Sequence, residues 1–148
     1  MFDVLITHIQ EKVDINADQI ELLKSFFTQK KLSRKEFLLK EGEICKNLAF
    51  VSKGILKSYI LDERGNERIN LFAFEGWWIS DFNSFLHQEK AFLNIDAIEE
   101  SELLLLSRDN YEELTLKIPI MDRYALIASY LGLSPETVSR IRKKISHQ

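Results

Sequence analysis

The residues whose types and spacing could do chemistry stand near the C-terminal end, in "LSPETVSRIRKK", residues 133–144. Glu136 and Arg140 are four positions apart and so share a helix face, with Ser139 beside them. An arginine fork can grip guanine O6 and N7, and a glutamate can accept from cytosine N4, so these three side chains could read base edges. Ser134, Thr137, Arg142, Lys143 and Lys144 are better suited to phosphate oxygens, contacts that position a helix and make affinity depend on salt. The same residues also fit a plain surface ion pair on a capped basic helix. The residues just before them favour DNA reading. Small Ala128 would let two helices cross closely, Gly132 would take the turn, and Ile127, Leu131, Leu133, Val138 and Ile141 would share a core, the pattern of a helix-turn-helix. Ser134 is a natural N-cap, Pro135 suits the first helical position, and Glu136 favours the positive helix end.

The rest of the chain offers no comparable catalytic pattern. His8, His87 and His147 lie in three distant segments without ligand spacing, so a metal site is not expected. No serine–histidine–carboxylate, cysteine–histidine or phosphate-loop motif stands out, which makes an enzyme the weakest reading. A single cysteine, Cys45, forms no internal disulfide, and no cofactor is implied. No apolar run approaches the roughly 20 residues of a membrane span, and Asp3 precedes any apolar run, so a signal peptide is not expected and the cytoplasm is the default compartment. Charge is unevenly placed. Residues 125–148 carry +3 in a chain whose total is −3, which leaves −6 for residues 1–124. A basic end on an acidic body points to an anionic partner.

Stepping towards the N-terminus, Leu5, Ile9 and Val13, then Ile20, Leu23, Phe26 and Phe27, recur at helical spacing, with Asn16 or Asp18 as cap of a second helix. From Lys31 the period shortens. "EFLL", "LAFVSKGILKSYI", "RINLFAF", "FLNIDAI" and "SELLLLS" alternate with turn signals and predict short antiparallel strands of a jelly-roll kind. Gly42, Gly54 and Gly65 fall where tight turns need positive φ. "SRDNYEELTLKIP" returns to helical spacing, capped by Ser107 or Asp109 and ending near Pro119. The expected fold class is α+β: N-terminal helices, an antiparallel β-roll, and a C-terminal helix-turn-helix. Residues 1–124 form the sensory roll with its flanking helices, and residues 125–148 form part of a DNA-binding domain.

Taken together, "KEG", "FVSKG" and "GNE" in the strand region and "IASYLGLSPETVSRIRKK" at the end resemble the Crp/Fnr family of transcription regulators. The resemblance implies a cyclic-nucleotide-binding β-roll followed by a dimerisation helix and a winged helix-turn-helix. It further implies a homodimer on palindromic double-stranded DNA, with RNA polymerase and a small-molecule effector as further partners and no membrane. It places base reading on Glu136 and Arg140, with Pro135 where some relatives carry another arginine. The ligand site departs from the family. Its phosphate cassette has Gly-Glu followed by Arg-Ser or Arg-Thr; here Ser80 and Asp81 replace Gly-Glu, and no arginine occurs between Arg68 and Arg108. Lys90 is the one nearby cation, and a lysine lacks the fork that grips a phosphate. The expectation is therefore a degenerate pocket at Ser80, Asp81 and Lys90 that does not take cyclic AMP in the usual way. Trp77 and Trp78 either line a different pocket or pack in the core. "IPIMDRY" runs directly into "ALIASYLG", where the family has its dimerisation helix, so either that helix is absent or residues are missing near Tyr124 and Ala125. The alternative from another class is a sensory or interaction module that does not bind DNA.

Overall fold

The computed structural model describes residues 1–131. Two helices open the chain. In α1 (Asp3–Gln10) the buried Leu5 and Ile9 stand four apart on one face. α2 (Ala17–Lys24) is capped by Asn16 rather than Asp18: Asn16 accepts from the Gln19 backbone at 2.8 Å, and the Gln19 side chain accepts from the Asn16 backbone at 2.9 Å. Helical spacing predicts a continuation through Phe26 and Phe27, but α2 ends at Lys24 and an extended strand, β1 (Thr28–Leu32), follows. The first four residues of β1 are exposed, so no alternation marks it. It is an edge strand, and Lys30 and Lys31 are what such an edge tolerates.

The roll continues with β2 (Phe37–Leu39), β3 (Asn47–Lys53), β4 (Leu56–Leu61), β5 (Glu67–Ala73), β6 (Trp78–Ile79), a short helix α3 (Phe82–His87), β7 (Asn94–Ala97) and β8 (Ser101–Ser107). The strands form two four-stranded antiparallel sheets, ordered β1-β8-β3-β6 and β2-β7-β4-β5. Gly42, Gly54 and Gly65 all have positive φ, as their turns require. Gly54 is also pinned by space, because a Cβ there would overlap the Ser101 side chain and lie 2.8 Å from its Cα.

Two cores lie on the two faces of the first sheet. Ala49, Val51, Leu103 and Leu105 point into the roll, where they meet Leu39, Leu56, Ile79, Phe85 and Ile95. Phe50, Leu104 and Leu106 point the other way, onto α1, α2 and the C-terminal helices. Burial on both faces explains the unbroken leucines of β8, since a strand with no wet face needs no polar alternation. Among the described residues the second sheet has no helical cover of this kind: Phe37, Ile69 and Phe72 remain about two-fifths exposed, at 40%, 42% and 43%.

Ser107, not Asp109, caps α4 (Arg108–Lys117), accepting from the Asn110 backbone at 3.2 Å. α5 (Ile120–Leu131) follows Pro119. Tyr124 and Ala125 both fall within this helix. Tyr124 and Ala128 are both buried in the helix-side core.

Candidate functional site

Asp81 sits between β6 and α3, and its conformation is extended, which lets its side chain fold back over the start of the helix. Its Oδ1 accepts from the Ser84 backbone N–H at 3.1 Å, and its Oδ2 accepts from those of Phe92 at 2.9 Å and Leu93 at 3.2 Å. Only 5% of the residue is exposed. One carboxylate therefore neutralises a helix start and the segment entering β7, and charge-assisted bonds of this kind are about twice as strong as neutral ones. The same segment is strapped to the 41–44 turn, with Gly42 N–H donating to Ala91 O at 2.8 Å and Ala91 N–H to Glu43 O at 2.7 Å.

Ser80 is buried next to it, its Oγ 3.2 Å from Cys45 Sγ and 3.3 Å from Asn47 O. Ser84 Oγ accepts from the Cys45 backbone N–H at 2.8 Å and donates to Glu89 O at 2.5 Å. A cleft of about 420 Å³ opens here, walled by Leu38 and Leu39 of β2, by Glu43, Cys45 and Lys46 of the connection that follows it, by Asn47 of β3, and by Ile79, Ser80 and Ile95. The structure thus brings Ser80 and Asp81 together but not Lys90. Lys90 pairs by backbone with Ile44, its side chain is exposed, and among the described residues no ion pair joins it to Asp81. Asp81 and the N–H groups it holds are not among the residues that line the cleft, Lys46 is, and no guanidinium among the described residues lines it.

The two tryptophans divide. Trp77 is 39% exposed and stands edge-on to Phe74 at 5.8 Å, whereas Trp78 is buried against Phe50 at 5.2 Å. Trp78 Nε1 donates to the Tyr124 hydroxyl at 2.9 Å, and that hydroxyl lies 2.7 Å from His8 Nδ1. The phenol oxygen accepts from Trp78, and its contact with His8 Nδ1 is compatible with either partner donating, according to the imidazole tautomer. Burial lowers the His8 pKa from 6.5, nearby Lys12 lowers it further, and Glu11 opposes them. Burial likewise pushes the Tyr124 phenol up. α1, β6 and α5 are thereby joined by one hydrogen-bond chain.

A second polar group lies on the outer face of the second sheet and is not marked in the sequence. Lys57 Nζ donates to Glu67 Oε2 at 2.7 Å and stands 3.9 Å from Asp96 Oδ1, while Tyr59 donates to Asp96 Oδ2 at 3.1 Å. Burial raises the Asp96 pKa, against Lys57 and the Tyr59 hydrogen bond, which lower it. Tyr59 is pushed up to about 12 by burial and by the Asp96 charge. An acid inside a short apolar strand, "NIDA", is the signal that could have flagged it.

Ser134, Glu136, Thr137, Ser139, Arg140, Arg142, Lys143 and Lys144 lie outside the described residues. Among the described residues, no three His, Cys, Asp or Glu side chains group so as to hold a metal ion, and no helix is long and apolar enough to cross a membrane.

Residues 29–117 match the family model of the cyclic nucleotide-binding domain. The chain is 21% identical over 131 residues to the anaerobic regulatory protein of Bacillus subtilis (strain 168), an overlap of 88% of this chain and 53% of that protein. It therefore spans about half the length of this curated relative. Among solved structures, the sensor domain of the transcriptional regulator DNR from Pseudomonas aeruginosa superposes with a TM-score of 0.72 at 19% identity, covering 99% of this chain and 92% of that one. The Thermus thermophilus catabolite activator protein gives 0.69 at 19% identity, covering 90% of this chain and 58% of that one. At such identities the superpositions establish the fold.

Proposed function

The chain belongs to the cyclic nucleotide-binding domain family, and from that premise we propose that it is a transcription regulator of the Crp/Fnr type whose roll does not hold a cyclic nucleotide in the family's usual way. The observation that carries the second half is Asp81, whose buried carboxylate takes the Ser84, Phe92 and Leu93 N–H groups that an incoming anion would need. Support for the first half comes from the relatives, which are themselves named as regulators, and from the residue pattern of the C-terminal segment.

In this reading residues 125–148 contribute part of a helix-turn-helix. Glu136, Ser139 and Arg140 touch base edges, while Ser134, Thr137, Arg142, Lys143 and Lys144 hold phosphates. The protein acts in the cytoplasm as a homodimer on a two-fold symmetric site, answering to a small-molecule effector other than cyclic AMP and meeting RNA polymerase on the promoter.

Selection of bound duplexes from a random DNA pool, with and without cyclic nucleotides, tests both halves. A symmetric consensus whose occupancy ignores cyclic nucleotides is expected, and Arg140→Ala should cost about 1–3 kcal/mol at one base pair. Affinity no better than the nonspecific background for every duplex would leave a sensory module that does not read DNA. Tight binding that requires cyclic AMP would sink the reading of Asp81.

A further inference from the structure

Between the helix-facing side of the first sheet and α3, α4 and α5 lies a cavity of about 460 Å³, distinct from the cleft beside Ser80. Its floor is Leu48, Trp78 and Leu106, and its far wall is α5, where Ala125 and Ala128 stand three apart and leave the space that larger side chains would fill. Protein interiors are packed to crystal density, so an apolar gap of this size between an element and its support is the form small-molecule pockets take.

We propose that this cavity is a binding site for a small, uncharged, ring-bearing apolar molecule. The wall is mostly apolar, and of its three hydroxyls those of Tyr124 and Thr115 are already engaged within the protein, which leaves that of Tyr111. The Tyr124 hydroxyl already serves Trp78 and His8, and Thr115 Oγ1 donates to Glu112 O at 3.0 Å. Apolar cavities without polar partners do not hold ordered water, and they accept apolar guests. Charge decides between a neutral guest and an anion. Asp122 lines the rim, and its charge, together with the larger effect of burial, raises the pKa of the Tyr111 phenol on the facing helix. An anionic guest would meet that carboxylate. The site goes beyond the regulator reading and needs no DNA binding. Its place matters because one wall belongs to the roll and the other to α5, so an occupant would bear on how α5 packs.

The full 148-residue chain titrated with the neutral fluorophore N-phenyl-1-naphthylamine tests this. Saturable single-site binding is expected, and Ala125→Trp, which fills the cavity from a half-buried position, should weaken it about tenfold or more while keeping the thermal midpoint. Because the chain has two tryptophans, Trp77→Phe leaves Trp78 in the cavity floor as sole donor for energy transfer. Its quenching should follow the same binding curve. Asp122→Lys should leave the neutral fluorophore unchanged and tighten its anionic sulfonate analogue. If binding never saturates, if Ala125→Trp folds and binds as well as the parent, or if Trp78 is not quenched, the site lies elsewhere or does not exist. Should Ala125→Trp fail to fold, the Trp78 measurement alone decides.

Discussion

The cleft beside Ser80 and the cavity under α5 are nearly equal in size, about 420 and 460 Å³, and opposite in what they leave undone. Next to the cleft, the Asp81 carboxylate already holds the Ser84, Phe92 and Leu93 backbone N–H groups. Around the cavity the Tyr124 hydroxyl and Thr115 Oγ1 are bonded within the protein, and what is missing is apolar bulk. In the reading proposed above, polar demand met from within closes a site to an incoming anion. Apolar space left unfilled opens one for a ligand of different chemistry.

The deepest way to break this comparison is at the wall between the regions. Phe50, fully buried and in ring contact with Trp78 and His8, should cost about 3–5 kcal/mol as Phe50→Ala in urea unfolding. A much smaller loss would mean that the helical layer is not truly packed on the sheet. Next, Asp81→Ala strands one buried and two part-buried N–H donors and should cost about 1–3 kcal/mol. Sulfate should restore part of the lost thermal stability in that variant but not in the parent, whereas no rescue would show that the carboxylate is not standing in for an anion. Gly54→Ala, which imposes positive φ and a clash with Ser101, should lose more than about 1 kcal/mol, read by the same unfolding curve.

The smallest effect concerns pH. The fold favours neutral His8, so its contribution is complete above the ordinary value of 6.5. As pH drops below 6.5 the unfolded chain takes up the proton first, and stability is lost progressively until the lowered folded pKa is passed. His8→Gln should flatten the thermal midpoint against pH across this window. An unchanged slope would assign the pH dependence to other groups.

Much of the roll was legible because short apolar runs separated by turn signals mark its strands, with β8 an unbroken apolar run that two-sided burial explains. β1 was not, since an exposed edge strand of Thr, Gln and Lys has no face to declare, and the two phenylalanines before it continued a helical period by coincidence. α3 is a single short helix hidden in a segment read for its ligand chemistry. At the site, Ser80 and Asp81 could be found by their departure from a known cassette, but the partners of Asp81 could not, because N–H groups eleven and twelve residues away leave no trace in residue type. The link between His8 and Tyr124 spans 116 positions, and only the folded chain brings them together.

β8 raises a problem of register that its neighbours do not share. Slide it by one residue and, across 103–106, leucine replaces leucine on both faces, so the hydrophobic pattern barely penalises the slip. Alignment must then be dictated at the strand's ends. At one end Ser101 is wedged against Gly54, its Oγ donating to Glu99 O at 2.8 Å. At the other, Ser107 must arrive where its hydroxyl meets Asn110 N–H to start α4. Two serines act as end stops for a strand whose middle has no memory of its position.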